Sequence, residues 1–289
     1  MGSFIGLITC YDGVTNKKEA LYMKFPIGFS LGDDSKKVEM EPLVPQTAAP
    51  VKCMAQVYFP ERHQTLTYFN DQFDLKQGDF VFVDGKLENE RGIVRSIKKN
   101  FKIKSSDYKR VIGVADTNVS GHLHMAGSHF VSFDPAVLPY EKIRSWFLPP
   151  VKAEDEYEFG NDDTSFSLDK LDEMGATYII FERGRDYYAE DRVAYIGVDA
   201  GHGKAIVVGE HPYELEFDYA DRQIRNLICS CPCGYTCKHE VAAMLQLKDI
   251  LEKLEKNYPD MHQNYFAAVE KLALFRFVIQ LKESGSLVL

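Results

Sequence analysis

The chain lacks a long uninterrupted apolar run. Its longest, 272–281, is broken by Arg276 and is too short to cross a bilayer. The opening residues MGSFIG have neither the basic region nor the apolar stretch of a signal peptide. Gly6 stands where a myristoylation motif needs Ser or Thr. The expectation is a soluble, cytoplasmic protein without a membrane partner. Cysteine is scarce outside one short segment: of six, four fall between 229 and 237, and only Cys10 and Cys53 stand apart. Disulfide scaffolds spread their cysteines to staple distant segments, so that class is excluded, and Cys10 and Cys53 are expected as buried thiols. Repeats and low-complexity tracts are absent as well.

Enzyme signatures are also missing, and the expectation is a protein that is not an enzyme. Residues 197–204 superficially suggest a phosphate loop, but Val198 takes the first glycine position and Ala205 replaces the required Ser or Thr. There is no G-x-S-x-G elbow and no H-E-x-x-H helix.

What is present is ample material for a core. With 45% hydrophobic residues over 289 positions, two modest domains can each bury apolar surface. The net charge of −9 taken alone argues against binding nucleic acid, but its uneven distribution removes that objection. Residues 154–174 hold nine acidic side chains against Lys170, leaving the rest of the chain nearly neutral. Residues 91–110 hold eight basic side chains against Asp107.

An α+β fold follows from the patterning. Residues 1–50 form N-terminal strands and a linker marked by Pro42, Pro45 and Pro50. In 51–150, short β-type runs occur at 54–59, 65–69, 80–83 and 93–97, with Asp84-Gly85 as a tight hairpin and a docking helix within 133–147. An acidic connector occupies 151–175. A second β region follows, with strands expected at 177–181, 192–198, 205–209 and 213–219 and a turn at 201–203. Over 213–219 Tyr213, Leu215, Phe217 and Tyr219 alternate with acidic residues, as one buried and one solvated face require. Val241, Met244, Leu245, Ile250, Leu251 and Leu254 then recur at helical spacing, and a further amphipathic helix is expected within 265–281 of the C-terminal segment 258–289.

The chemistry concentrates in CSCPCGYTCKH (229–239). Three thiolates and an imidazole within one short loop suit a closed tetrahedral Zn²⁺ site, structural because no coordination position is left for water. A C-x-C pair leaving a strand presents two sulfurs on one side of a turn. Cys237 and His239 sit at a helix entry, with Thr236 as the expected N-cap. Cys231-Pro232-Cys233 is itself a C-x-C pair, so Cys233 competes with Cys229 for a place among the ligands. Elsewhere His122, His124 and His129 lie close in sequence, but no Cys, Asp or Glu completes a ligand set, and they read as core or surface residues.

The basic stretch Arg91, Arg95, Lys98, Lys99, Lys102, Lys104, Lys109 and Arg110 is interleaved with Phe101 and Tyr108. Cations for phosphates and rings for bases are what a single-strand binding surface needs. The same lysines would equally guard a strand edge, or dock the acidic run at 154–174.

Two resemblances add to this reading. LKQGDFVFV (75–83) followed by GIVRSI (92–97) looks like the small β-barrels of translation and replication proteins, including the DNA-binding module of the primosomal helicase, over residues 53–103. The C-x-C…C-x-H spacing, with Pro232 after the second Cys, resembles the SWIM zinc finger. That likeness spans about 176–250 and takes in GRDYY (184–188), Arg192-Val193, 205–209 and 213–217 as a β-meander leading into the finger. It implies a zinc module over 176–257, with Cys229, Cys231, Cys237 and His239 as the ligands. SWIM modules accompany helicase-type ATPases and other nucleic-acid machinery and bind DNA or protein partners. The expected function is therefore a zinc-binding accessory protein for DNA or RNA, DNA before RNA, with Arg222, Arg225 and Lys238 as further contacts. Any ATPase would be a separate chain. The alternative is a protein-interaction adaptor whose zinc is purely structural.

Overall fold

In the computed structural model the described residues are 51–153, 155, 158, 160, 164–261, 264–279, 287 and 288. The expectations for 1–50, Cys10 included, and for most of the acidic run at 154–163 lie outside them. The described chain is mixed α+β, with two antiparallel sheets.

The first sheet grows from strands whose alternate residues face a small core. β1 (Cys53–Phe59) pairs with β2 (Gln64–Asn70) and with β4 (Gly92–Lys98), and β3 (Phe80–Val83) joins β4 to β5 (Val111–Val114). Cys53, Ala55, Val57, Phe59, Tyr68, Val81, Val83 and Val94 form its core. The edge strands meet where the Phe69 amide donates to the Lys109 carbonyl at 2.9 Å. Asp84-Gly85 does not make a tight hairpin. Instead, 84–91 forms a longer loop because Leu87 folds back to 9% exposure beneath it.

The second sheet has eight strands in the order β7-β8-β14-β10-β11-β12-β13-β9. These are β7 (His124–Ala126), β8 (His129–Ser132), β9 (Ser165–Ser167), β10 (Val193–Asp199), β11 (His202–Val208), β12 (Pro212–Ala220), β13 (Gln223–Cys229) and β14 (Tyr265–Glu270). Its strands come from all four sequence segments between 51 and 289. β6 (Gly121–His122) pairs separately with β15 (Leu287–Val288).

Helices cover both faces of this sheet. α2 (Tyr178–Ala189) and the long α3 (Lys238–Asn257) lie on one, over Val193, Ile196, Leu215, Phe217 and Ile224. α1 (Tyr140–Phe147) lies on the other with the π-turn Phe275–Ile279, against Ala194, Ile206 and Val269. The helix within 133–147 is thus confined to its second half, where it starts after Pro139 at the N-cap.

Two expectations are overturned. The strand at 177–181, and the β-meander reading of 184–188, give way to α2. The Thr177 side chain caps the helix by accepting from the Ile180 amide, and Gly184 lets α3 approach so closely that a Cβ there would lie 2.4 Å from Val241 Cβ. The helix expected within 265–281 begins as β14, between β8 and β10. A strand buried on both faces reads as a continuous apolar run, so its period is invisible. Glu270 then ends the strand and starts the four-residue α4 (Lys271–Leu274), accepting from the Leu272 and Ala273 amides.

Candidate metal centre

β13 delivers Cys229 at its last residue, and the ladder runs one residue further through a 2.9 Å bond from the Ser230 amide to the Glu214 carbonyl. The loop then returns to α3. Thr236 does not cap that helix; its hydroxyl is spent on the Met174 carbonyl at 3.1 Å, which ties the loop to the segment before α2. The N-cap is Cys237. Its sulfur accepts from the Glu240 amide, and the Glu240 carboxylate accepts from the Cys237 amide at 2.8 Å, a capping box built on a thiol.

These turns bring Cys229, Cys231, Cys237 and His239 together, with all four ligand atoms within 4.8 Å of one another. His239 Nδ1 lies 3.9 Å from Cys229 Sγ and 3.7 Å from Cys237 Sγ. A tetrahedral Zn²⁺ has sulfur-to-nitrogen edges of about 3.6 Å, so the donor set and its spacing fit such an ion with small inward shifts. Cys231, Cys237 and His239 are buried and Cys229 is half-buried, whereas Cys233 is exposed and outside the group. Among the described residues this is the one such group, and His122, His124 and His129 form none.

The electrostatics suit anionic sulfur. Cys237 is pushed down to about 4, chiefly by the hydrogen bond from Cys229, with further donation from His239 and the Glu240 amide. The Cys237 sulfur also stands at the positive end of a 20-residue helix, which favours its charged form. Cys229 is raised by its bond to Cys237 and by burial, and Cys231 is pushed up to about 12 by burial first. An incoming divalent cation would displace those two protons. The Cys231 and Cys233 backbone amides favour the charged forms of Cys229 and Cys231 in turn.

Residues outside the motif hold the imidazole, and the motif gives no sign of them. The Tyr213 ring stacks on His239 at 4.4 Å, and Tyr187 meets it edge-on at 5.5 Å. Gly209 leaves the space, since a Cβ there would lie 3.1 Å from Nε2. That nitrogen is buried without a hydrogen-bond partner, so on that side the ring is held by packing alone. Only Glu240, three residues after Cys237, had a readable signal in the capping-box spacing.

The expected nucleic-acid contacts divide into two groups. Lys98, Lys99, Lys102 and Lys104 are exposed, and Lys104 lies 3.9 Å from Asp107. Arg95 is exposed and lies over Tyr58, and Arg225 is exposed. The other group is committed elsewhere. Arg91 packs on Phe277 and Phe80 and donates to the Trp146 carbonyl; burial pushes it down to about 10, so it serves the core. Arg222 is held by Asp169 at 2.7 Å and Glu255 at 3.1 Å. Lys238 lies over the Tyr187 ring at 4.6 Å. No ion pair among the described residues joins the basic stretch to the acidic run.

No helix among the described residues is long and apolar enough to cross a membrane. Compared with known proteins, the chain matches no protein-family model, no curated protein and no solved structure.

Proposed function

We propose that the chain is a zinc-binding accessory protein that binds nucleic acid, DNA before RNA, and works beside a separate helicase-type ATPase. One observation carries the DNA reading. Lys98 at the end of β4, and Lys99 and Lys102 on the connection that follows, stand exposed with no ion-pair partner among the described residues. A strand-edge guard needs one or two lysines facing a neighbouring edge, whereas this run leaves the sheet and continues along a loop. Uncommitted cations in series release counterions when phosphates replace them, and that release drives association.

The zinc reading rests on the Cys₃His donor set, and its C-x-C…C-x-H spacing supports a finger of the SWIM type. Bound zinc would supply structural cross-linking, joining the end of β13 to the first turn of α3, with no coordination position left for a substrate. The test is electrophoretic mobility of labelled oligonucleotides with the intact, zinc-loaded protein at two salt concentrations. Binding that weakens steeply with salt supports the reading.

A second reading has its own observation. Tyr178, Ile179 and Tyr235 are 78%, 63% and 72% exposed, and the Thr236 bond to Met174 draws their two segments together. Exposed rings and an aliphatic side chain beside a rigid loop suit a protein-docking surface. Absence of any salt-dependent association with oligonucleotides would favour this adaptor reading.

A further inference from the structure

The outer face of the first sheet carries a feature that a bland surface does not need. β1 and β4 pair Val57 with Val94 and Gln56 with Ser96, so Arg95 is an extra residue in the ladder, a β-bulge. Bulges re-aim side chains. Here the bulge directs the Arg95 guanidinium across the Tyr58 ring, 4.7 Å from its centroid, while Arg95 itself stays exposed. The half-buried Tyr58 is steadied by its hydroxyl, 3.4 Å from His63 Nδ1. The guanidinium is thus backed by a ring while Arg95 remains exposed to solvent.

The surroundings extend this seat. Gln56 faces Thr67 across the β1–β2 ladder and Tyr58 faces Thr65, all on the open side, and Ser96 donates to Gln56 at 2.8 Å. Toward one end Lys98 lies opposite Met54, next to the exposed Lys52 and Lys99. At the other end Glu90 is taken by Arg62. The face therefore runs from a ring-backed guanidinium to a group of cations.

We propose that this face seats a single strand of DNA, with one base stacked on Arg95 and the backbone led over Lys98 and Lys99. The proposal rests on the DNA-binding reading above and adds the strand type and the seat. Planar guanidinium and ring surfaces recognise the faces of bases, which a duplex hides within its own stack and a single strand exposes. Charge complementarity supplies the rest, since the polymer is anionic wherever it crosses the lysines.

The test uses the full, zinc-loaded chain and fluorescence anisotropy with labelled oligothymidylate of about 15 nucleotides, the matching duplex, and oligouridylate. The expected result is a single-strand preference of about tenfold over duplex, with RNA no tighter than DNA. Arg95→Lys keeps the charge and loses the plane, and should weaken single-strand binding by about tenfold with an unchanged salt slope. Tyr58→Phe should bind like the parent and Tyr58→Ala should not. Circular dichroism confirms folding, and Arg95→Lys, which removes no core group, stands even if Tyr58→Ala unfolds. Equal or tighter duplex binding, tighter RNA binding, or an unimpaired Arg95→Lys protein overturns the proposal. Failure of the parent to bind any of the three overturns the DNA reading beneath it. Parent binding that survives Arg95→Lys but is lost when the lysines are reversed removes the seat alone.

Discussion

The His239 imidazole stacks on the Tyr213 ring at 4.4 Å with 28° between their planes, on the strand paired to the one that ends at Cys229. A buried imidazole whose second nitrogen has no hydrogen-bond partner needs another means of orientation, and the stack provides it. Tyr213→Ala should therefore raise the rate at which a chelator strips zinc, and lower zinc affinity by about 10-fold or more. Tyr213→Phe should behave like the parent. A spectrophotometric chelator competition reads both.

The ligand assignment gives a prediction of opposite outcomes within one loop. The purified protein should carry one Zn²⁺ per chain, with Cys237→Ser and His239→Ala losing it and Cys233→Ser retaining it. Because Cys237 is also the N-cap, loss of the metal should expose the first turn of α3 to amide hydrogen exchange. Metal analysis with exchange mass spectrometry checks this. Retention in Cys229→Ser together with loss in Cys233→Ser would reassign the site.

Much of this candidate centre was legible because its four donor residues lie within eleven consecutive residues, 229–239, and thiolate chemistry leaves few alternatives. The clasp around it was not. Tyr187, Gly209 and Tyr213 are ordinary residues in sequence and become partners of His239 only when α2 and β12 pack against α3. The same physics hid α2: Tyr178, Ile179, Ile180 and Phe181 favour strands by propensity, and a cap at Thr177 with close packing at Gly184 outweighs that preference. β14 was misread for the converse reason, since Phe266, Ala267, Ala268 and Val269 are all buried and show no alternation. Of the basic residues, charge was readable and commitment was not. Only the fold reveals that Arg91 lies on Phe277.

A pH dependence follows from His129. It is buried, its Nε2 lies 2.7 Å from the Val193 carbonyl and its Nδ1 lies 3.0 Å from Ser128 Oγ. Burial pushes it down to about 4, against the lesser opposing effects of the Val193 bond, Asp191 and Asp249, with Lys253 adding to the fall. The unfolded chain therefore takes up this proton first, near 6.5, and stability is lost as pH falls from 6.5 toward 4. The loss at pH 5 is about 2 kcal/mol from this group. His129→Gln should be less stable than the parent at pH 7.5 yet fall less between pH 7.5 and 5, as read from urea midpoints. Since acid also protonates the candidate metal ligands, the readout is the difference between the two proteins, and an identical fall in both contradicts the assignment.

The most direct test of the central claim is the salt dependence of single-stranded DNA binding by the parent and by a protein with Lys98, Lys99, Lys102 and Lys104 all changed to Glu. The parent should give a steep linear fall of log affinity with log salt, about 0.7 units for each phosphate contact. The variant should lose binding while keeping its zinc and its folded circular dichroism spectrum. If the variant binds with the parent's affinity and slope, these lysines do not contact DNA and the nucleic-acid reading is contradicted.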